Sequence, residues 1–364
     1  MLMKIGLVGL PQVGKTTLFN LLTGSNIEVT EFSTGKVEAN LGMAKIPDDR
    51  IDFLKAMYKP KKTTYATIEV IDVPGLSKGA STGKGIGNQF LENIRKTDAL
   101  AHIIRVFDND KVIHEEGNIN PMRDIESINM ELLFADLDVI ENRIHRIENS
   151  KKVTKENLAE LEVLKKCREG LEDGLLIHNI DLDDDEKELL KTFSFLSEQP
   201  MILVVNIDES QLQDNDYPGR DALLKFSQDT NTPLIEMSIK AEQEISQLDE
   251  EDRILFMEDL GIKETGIDRF AKTAYDHLGL ISFLTSGEDE VRAWPIKKET
   301  LAKHAAGKIH SDIEKGFIRA EVCRFKDLKE YGSVNKAKEK GLVTLEGKEY
   351  TVQDGDIINF RFNV

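Results

Sequence analysis

The sequence predicts an α/β protein built on a doubly wound, mostly parallel sheet. Short apolar runs recur between residues 4 and 238, and helical stretches separate them, as expected for parallel strands joined by crossover helices. A glycine-rich turn lies between the first run and the first helical stretch. The predicted strands are Lys4–Gly9, Tyr65–Val73, Ala99–Phe107, Met201–Asn206 and Pro233–Ser238.

The distribution of charge predicts a second domain at the C-terminus. The 364 residues suffice for two or three domains. Asp and Glu number 66 against 48 Lys and Arg, and this net charge of −18 argues against binding nucleic acid by bulk charge. Residues 281–364 hold 15 basic and 14 acidic side chains, whereas residues 1–280 hold 33 and 52. We therefore expect an α/β domain over 1–280 and a small mixed α/β module over 281–364.

Composition also indicates where the protein acts. Two cysteines, Cys167 and Cys323, are too few for a disulfide framework and fit a reducing cytoplasm. No run of about 18 apolar residues predicts a membrane span, and the first residues lack the features of a signal peptide. We expect a cytoplasmic protein without a membrane partner.

Residues 121–198 interrupt the alternation of strands and helices. Apolar residues recur there at spacings of three and four, on both sides of a polar turn at Asn149–Thr154. This periodicity predicts two antiparallel helices that form an inserted coiled-coil hairpin. The turn is basic, and is either a solvated tip or a contact surface for RNA or protein. Its cations are Arg143, Arg146, Lys151, Lys152 and Lys155.

The strongest motif is the run Gly9–Thr16, GLPQVGKT, which matches G-x-x-x-x-G-K-[ST] between a predicted strand and a predicted helix. This is the phosphate-binding loop of P-loop NTPases, in which backbone N–H groups and the helix dipole surround the phosphates. Lys15 is expected to reach the β- and γ-phosphates, and the Thr16 hydroxyl to bind Mg²⁺. The predicted nucleotide-binding residues of this loop are Gly9, Gln12, Val13, Gly14, Lys15, Thr16 and Thr17.

A second phosphate motif, D-x-x-G, runs from Asp72 to Gly75 at the end of a predicted strand. Asp72 is expected to hold a water bound to Mg²⁺, and the N–H of Gly75 to touch the γ-phosphate. Thr34, between the two motifs, is expected to complete the magnesium shell, with Thr30 and Ser33 as alternatives. Catalysis would rest on positioning and charge neutralisation. The residues expected to carry it are Lys15, Thr34 and Gly75.

The segment that should read the base departs from the guanine pattern. GTPases carry N-K-x-D at this strand end, whereas this chain has Asn206-Ile207-Asp208-Glu209. Ile207 replaces the lysine that stacks on the base, and Glu209 replaces the aspartate that accepts hydrogen bonds from guanine. Ser238, Ile239 and Lys240 follow another predicted strand and fit the loop that closes over the base. These residues favour ATP, with GTP as the alternative.

The residue after the second motif predicts slow hydrolysis. Leu76 occupies the place where Ras-like GTPases carry a glutamine that orients the attacking water. Leucine has no hydrogen-bonding side-chain atom, so another group must position the water. His114 is one candidate, because histidine titrates near neutrality, and an exposed loop histidine is the alternative interpretation.

With these motifs placed, the chain resembles the YchF/Obg-like ATPase family over nearly its whole length. The resemblance implies a Mg²⁺-dependent ATPase of the translation-factor GTPase class that associates with the ribosome or its large subunit. It also implies that residues 281–364 form an α+β, ubiquitin-like TGS domain, that this domain and the hairpin tip contact rRNA, and that the protein is a monomer. The segments that carry the resemblance are Gly9–Thr17, Asp72–Ala80, Asn206–Glu209, Arg292–Trp294, His310–Phe317 and Glu346–Val364.

Two other functions fit the same motifs. One is a nucleotide-gated ribosome-binding scaffold in which hydrolysis is incidental. The other is a metabolic P-loop kinase, which the D-x-x-G motif and the C-terminal module disfavour.

Overall fold

The computed structural model describes residues 3–27, 39–73, 91–109, 114 and 117–363. The strands are β1 Lys4–Val8, β2 Asn40–Lys45, β3 Lys62–Thr64, β4 Thr67–Asp72, β5 Ala99–Arg105, β6 Met201–Asn206, β7 Leu234–Met237, β8 Leu280–Thr285, β9 Glu290–Lys297, β10 Phe317–Arg324, β11 Val343–Glu346 and β12 Asp356–Phe362. The helices are α1 Lys15–Thr23, α2 Asp49–Tyr58, α3 Pro121–Glu148, α4 Lys155–Glu172, α5 Asp184–Leu190, α6 Glu209–Asp214, α7 Arg220–Asp229, α8 Ile239–Gln247, α9 Glu250–Asp259, α10 Gly266–His277, α11 Ala302–Ile309, α12 Ser311–Lys315, α13 Phe325–Tyr331 and α14 Val334–Glu339.

The chain forms two compact units whose boundaries differ from the one expected at residue 280. The first unit comprises Met1–Gly42 and Glu69–Ile267, and the second comprises Met43–Ile68 and Asp268–Val364. The difference arises because Met43–Ile68 contains α2 and β3, and β3 pairs with β9 of the C-terminal segment.

The first unit contains a six-stranded sheet in the order β2-β4-β1-β5-β6-β7. Each adjacent pair from β4 to β7 is parallel. The early strands β2 and β4 lie on one side of β1 and the later strands on the other, so the predicted doubly wound sheet is confirmed. In such sheets ligands bind at the carboxyl ends of the strands where the order reverses, which here is the end of β1.

The predicted hairpin is formed by α3 and α4. Thr154 begins α4 with a capping box, in which its side chain accepts from the Asn157 N–H and the Asn157 side chain accepts in return. The apolar stripes of both helices share one buried cluster, which includes Ile140, Ile144, Leu161 and Leu164. Leu158 stands at the same helical spacing as Leu161 and Leu164, but it is 53% exposed beside the turn.

One of the five basic residues assigned to the hairpin turn is not a tip residue. Arg143 donates two hydrogen bonds to Glu160 of the opposite helix, at 2.6 and 2.7 Å. The Arg143 side chain therefore links α3 to α4 through this ion pair. Arg146, Lys151 and Lys152 remain exposed.

The second unit has a mixed sheet in the order β11-β10-β12-β8-β9-β3. Its antiparallel pairs are β11–β10, β10–β12 and β8–β9, whereas β12–β8 and β9–β3 are parallel. One face of this sheet packs against the alanines of α11, and this core includes Phe283, Val322 and Phe360. The predicted mixed α/β module is thus present, with α2 and β3 added to it.

Among the described helices, none combines the length and apolar composition needed to cross a membrane.

Asp136 of α3 anchors the loop that leads into β6. Its side chain is fully buried and accepts hydrogen bonds from the N–H of Leu196 at 2.9 Å and from the N–H and hydroxyl of Ser197 at 2.8 Å. We predict that Asp136→Asn lowers the free energy of unfolding by about 1–3 kcal/mol, because an amide nitrogen cannot accept these bonds and leaves a buried donor unsatisfied. Urea unfolding measures this loss. Asp138→Asn, at an exposed position of the same helix, is the matched control, and equal stability of the two variants would contradict the assignment.

Candidate nucleotide-binding site

The turn after β1 requires its two terminal glycines. Gly9 and Gly14 adopt φ values of 147° and 105°, which disfavour residues with a Cβ atom. A Cβ on Gly9 would lie 2.5 Å from the carbonyl oxygen of Ile103 in β5. A Cβ on Gly14 would lie 2.9 Å from the side-chain nitrogen of Asn206. The loop is therefore packed directly against two neighbouring strands.

The start of α1 is suited to bind an anion. Gly14 precedes Lys15 as the N-cap residue and provides no side-chain hydrogen bond to the helix. The first amide groups of a helix have no partner within the helix and carry the positive end of its dipole. Gln12 supports the turn with a left-handed φ of 60°. The loop can thus surround a phosphate with backbone N–H groups.

Lys15 is folded back over this loop and is only 7% exposed. Its Nζ donates to the carbonyl oxygens of Gly9, at 3.1 Å, and Leu10, at 2.6 Å. These contacts hold the ammonium group inside the loop, where it can neutralise phosphate charge.

The two predicted metal-site residues of the described chain meet directly. The Thr16 hydroxyl donates to Oδ2 of Asp72 at 2.9 Å. Asn40, which the sequence analysis did not identify, lies 3.5 Å from the same oxygen. Burial raises the pKa of Asp72, and the Thr16 hydrogen bond and the Lys15 charge oppose that shift.

These side chains fit a hard divalent cation. A hydroxyl and a carboxylate supply oxygen ligands, and Mg²⁺ typically takes its remaining ligands from substrate phosphates and water. A cation beside Asp72 would also stabilise the charged carboxylate that burial disfavours. Among the described residues, no cluster of three or more His, Cys, Asp or Glu side chains could hold a metal on its own.

A cavity of about 440 Å³ opens beside the loop. The loop itself, the end of β5, the end of β6 and the start of α8 line it, so four segments converge at the carboxyl edge of the sheet. Its lining residues are Gln12, Val13, Gly14, Thr17, Arg105, Phe107, Asn109, Asn206, Ile207, Asp208, Glu209, Ser210, Ile239, Lys240 and Gln243.

Asn206 joins three of these segments. Its Nδ2 donates to the carbonyl oxygen of Val13 at 3.0 Å, and its Oδ1 accepts from the N–H of Ile239 at 3.1 Å. The residue is 5% exposed, so both bonds are shielded from water. Asn206 therefore positions the cavity walls.

The two residues that depart from the guanine pattern have different environments. Ile207 is 4% exposed and packs with buried residues of β6, while also lining the cavity. Glu209 accepts a hydrogen bond from Nζ of Lys240 at 2.7 Å, and this bond raises the pKa of Lys240. Ile207 therefore does not reproduce the lysine that stacks on guanine. Glu209, which is bound to Lys240, does not reproduce the aspartate that accepts hydrogen bonds from guanine.

Ser238 occupies a capping position. Its hydroxyl accepts from the N–H of Ala241 at 3.3 Å and begins α8. It is 2% exposed and lies outside the cavity lining, whereas the next residue, Ile239, lies within it. Ser238 therefore contributes to the cavity indirectly, by capping the helix whose first residue lines it.

Sequence reasoning missed several lining residues, including Arg105, Phe107 and Gln243, but it placed Lys240 in the loop that closes over the base. The signal for Arg105 and Phe107 was positional, because both lie at the end of a predicted strand. Carboxyl ends of parallel strands share one edge of the sheet, so residues following each strand were candidates by position.

His114 is a buried residue and not an exposed loop histidine. It is 8% exposed, and its Nε2 lies 3.1 Å from Oδ2 of Asp124 in the first turn of α3. Arg123 donates to the other Asp124 oxygen at 3.0 Å. Asp124 also acts electrostatically on Arg105, which lines the cavity.

Thr34, its alternatives Thr30 and Ser33, and the predicted residues Gly75 and Leu76 lie outside the residues that the structure describes. Their assigned roles remain predictions.

Four features together define a P-loop nucleotide-binding protein. They are a glycine loop between a parallel strand and a helix, a buried lysine within that loop, a Thr–Asp pair, and a cavity at the adjoining strand ends.

Two family models match the chain. One, described as "50S ribosome-binding GTPase", matches residues 4–142. The other, YchF-GTPase_C, described as "Protein of unknown function (DUF933)", matches residues 280–363.

Individual relatives match over the whole length. The ribosome-binding ATPase YchF of Escherichia coli O157:H7 is 44% identical over 362 residues, covering 99% of each chain. That of Bacillus subtilis is 41% identical over 366 residues, covering 100% of each. The solved structure of the Schizosaccharomyces pombe YchF GTPase is 32% identical with a TM-score of 0.86, covering 99% of this chain and 97% of that one. The chain belongs to the YchF family.

We predict that His114→Ala lowers kcat for ATP about a hundredfold, about 2.7 kcal/mol, at unchanged ATP affinity. The reason is the assignment of His114 as the group that positions the attacking water, a role that the side chain of Leu76 cannot fill. Single-turnover hydrolysis and calorimetric binding measure the two quantities separately. His145→Ala, at an exposed position of α3, is the control and should leave both unchanged. A His114→Ala protein that unfolds more readily but turns over normally when folded would limit this histidine to anchoring α3.

Proposed function

We propose that this protein binds ATP with Mg²⁺, hydrolyses it slowly and acts as a nucleotide switch on the ribosome in the cytoplasm. The observation that carries the proposal is the cavity beside the phosphate loop, whose base-reading segment contains Ile207 and Glu209. The family membership supports it, because bacterial relatives carry the name ribosome-binding ATPase.

Adenine suits this cavity better than guanine. Guanine offers N1–H and a 2-amino group, which GTPases bind with an aspartate. Here Glu209 is engaged by Lys240 at 2.7 Å, and Ile207 offers an apolar surface to the base. Phe107 adds an aromatic ring to the lining. An adenine ring can thus be held by apolar contact without a guanine reader.

The phosphate chemistry rests on charge neutralisation. Lys15 and the amides at the start of α1 bind the β- and γ-phosphates, and Thr16 and Asp72 hold Mg²⁺ directly and through water. Bound Mg²⁺ would supply further positive charge to the transferring phosphoryl group. Gly75 and Thr34 are proposed to contact the γ-phosphate and the metal. Slow turnover follows from the leucine that replaces the water-orienting glutamine.

We predict that ATP binds more tightly than GTP, and that Ile207→Lys with Glu209→Asp recovers guanine affinity because it restores the stacking lysine and the aspartate. Calorimetry measures both affinities. Lys15→Ala is the control: it should weaken ATP and GTP alike, because both share the phosphates that Lys15 contacts. Wild-type protein that binds GTP ten times more tightly, about 1.4 kcal/mol, would instead indicate a GTPase.

We assign the ribosome contact to the hairpin tip and to the near-neutral segment 281–364 of a monomeric protein, with rRNA as the partner. We predict that reversing Arg146, Lys151, Lys152 and Lys155 to glutamate weakens co-sedimentation with ribosomes and flattens its salt dependence, because fewer phosphate contacts release fewer counterions. The tip reversal leaves Arg143 and its bond to Glu160 intact. Substitution is preferable to deletion of 281–364, which would remove the strand partner of β3.

Reversal to glutamate of four exposed cations elsewhere, Lys96, Lys225, Arg253 and Lys263, gives the matched control, because it changes the net charge by the same amount. Unchanged sedimentation of the tip variant would place the contact elsewhere. A variant that binds ATP without hydrolysing it, yet cycles on and off ribosomes normally, would favour the scaffold function.

A further inference from the structure

Helix α9 presents apolar side chains to solvent. None of its ten residues is buried. Ile254 and Leu255 are 50% and 64% exposed, although a surface helix normally turns such residues towards the core. Phe256 and Met257 form the inner side of the helix and are partly buried. The outward apolar pair therefore adds little to the core of the first unit and is accessible to a partner.

Carboxylates flank this apolar pair. Residues three and four positions apart are neighbours on a helix, so Glu251 and Glu258 lie on either side of Leu255, and Glu250 and Glu258 on either side of Ile254. All of these side chains are exposed. The helix contains five acidic residues and one basic residue. Its surface is thus apolar at the centre and negative around it.

The helix is fixed before any partner binds. Its N-cap residue, Asp249, accepts a hydrogen bond from the N–H of Asp252 at 3.0 Å. After its last turn, the N–H of Ile262 donates to the carbonyl oxygen of Met257 at 2.8 Å, and the Leu260 side chain is buried. A partner therefore has little of α9 to order, which reduces the entropy lost on binding.

This helix adjoins a wall of the nucleotide cavity. Helix α8 ends at Gln247 and α9 begins at Glu250, and the two helices pack against each other. Ile239, Lys240 and Gln243 of α8 line the cavity. A partner on α9 would thus contact an element joined directly to the base-binding wall.

Charge decides which component of a ribosome fits this surface. The carboxylates repel the phosphates of rRNA. Ile254 and Leu255 supply neither the cations nor the aromatic rings that usually bind nucleic acid. A ribosomal protein needs many lysines and arginines to bind a polyanion. Such side chains can pair with the carboxylates while their apolar stems cover Ile254 and Leu255.

We propose that α9 docks on a basic ribosomal protein. Lysine and arginine side chains of that protein pair with Glu250, Glu251 and Glu258, and its apolar surface covers Ile254 and Leu255. The inference rests on the ribosome association proposed above. It adds a protein contact to the rRNA contact assigned to the hairpin tip and to residues 281–364.

Charge reversal tests the docking through the sign of its effect. Full-length protein saturated with a non-hydrolysable ATP analogue is co-sedimented with purified ribosomes at one salt concentration. Glu251→Lys with Glu258→Lys should weaken the association about tenfold, because like charges would then face the ribosomal protein. The same change would strengthen the association if α9 faced rRNA.

Asp221→Lys with Asp229→Lys is the matched control. These exposed residues lie in the first and last turns of α7, as Glu251 and Glu258 do in α9, and the net charge changes equally. The control should associate at least as tightly as the unaltered protein. Stronger or unchanged association of the α9 variant, or equal weakening of the control, would overturn the proposal.

The apolar part of the surface has its own variant. Ile254→Ala with Leu255→Ala removes apolar contact while retaining helix propensity, and should weaken the association about tenfold. Leu175→Ala, at a position that is 45% exposed and lies outside α9, should associate normally. Equal association of these two proteins would contradict docking through α9.

Photo-crosslinking identifies the partner without relying on the stability of the charge variants. Leu255→benzoylphenylalanine places a photoreactive group on the outward side of α9. Irradiation with ribosomes should give an adduct that protease digests and ribonuclease leaves intact, and mass spectrometry should find a lysine- and arginine-rich ribosomal protein in it. Adducts with rRNA alone, or no adduct, would overturn the proposal.

Failure of the ribosome association itself gives a different result. Unaltered protein that does not sediment with ribosomes would refute that association and the α9 contact with it. Unaltered protein that sediments, with no loss in either α9 variant, would overturn the α9 contact alone.

Discussion

The candidate site depends on the two hydrogen bonds of one buried amide. Asn206 binds the phosphate loop through the carbonyl oxygen of Val13 and the start of α8 through the N–H of Ile239. The same side chain occupies the space that a Cβ atom at position 14 would need. The position of α8 beside the loop, and part of the requirement for glycine at position 14, thus depend on this side chain. Any residue without both a donor and an acceptor at 206 would separate the phosphate-binding half of the cavity from its base-binding half.

The predicted parallel strands and the phosphate loop could be obtained from sequence because their signals are local. Buried central strands require continuous apolar runs, and β6, which is apolar from Met201 to Val205 and buried from Ile202 onwards, is the clearest case. The loop is a fixed pattern of glycines and a lysine. β2 gave no comparable signal, because it is an edge strand of mixed exposure with Gly42 in its middle.

Other features depended on contacts between distant residues. Lys62 pairs with Glu290, and no local pattern predicts a partner so far along the chain. The sequence therefore could not assign Met43–Ile68 to the second unit. For the same reason the assignment of Arg143 to the hairpin tip was wrong, because its hydrogen-bond partner Glu160 lies on the opposite helix. Asn40 could not be predicted as a site residue, because only the folded chain brings its side chain close to Asp72.

The division of the second unit between two distant segments has a consequence for biosynthesis. Its first segment, Met43–Ile68, leaves the ribosome long before its second, Asp268–Val364. Domains fold during synthesis from the N-terminus onwards, but α2 and β3 must wait until nearly the whole chain has emerged. During that interval the apolar side of α2, including Ile51 and Leu54, which are fully buried in the finished protein, lacks its eventual partners. This interval is when the nascent protein most needs protection from aggregation.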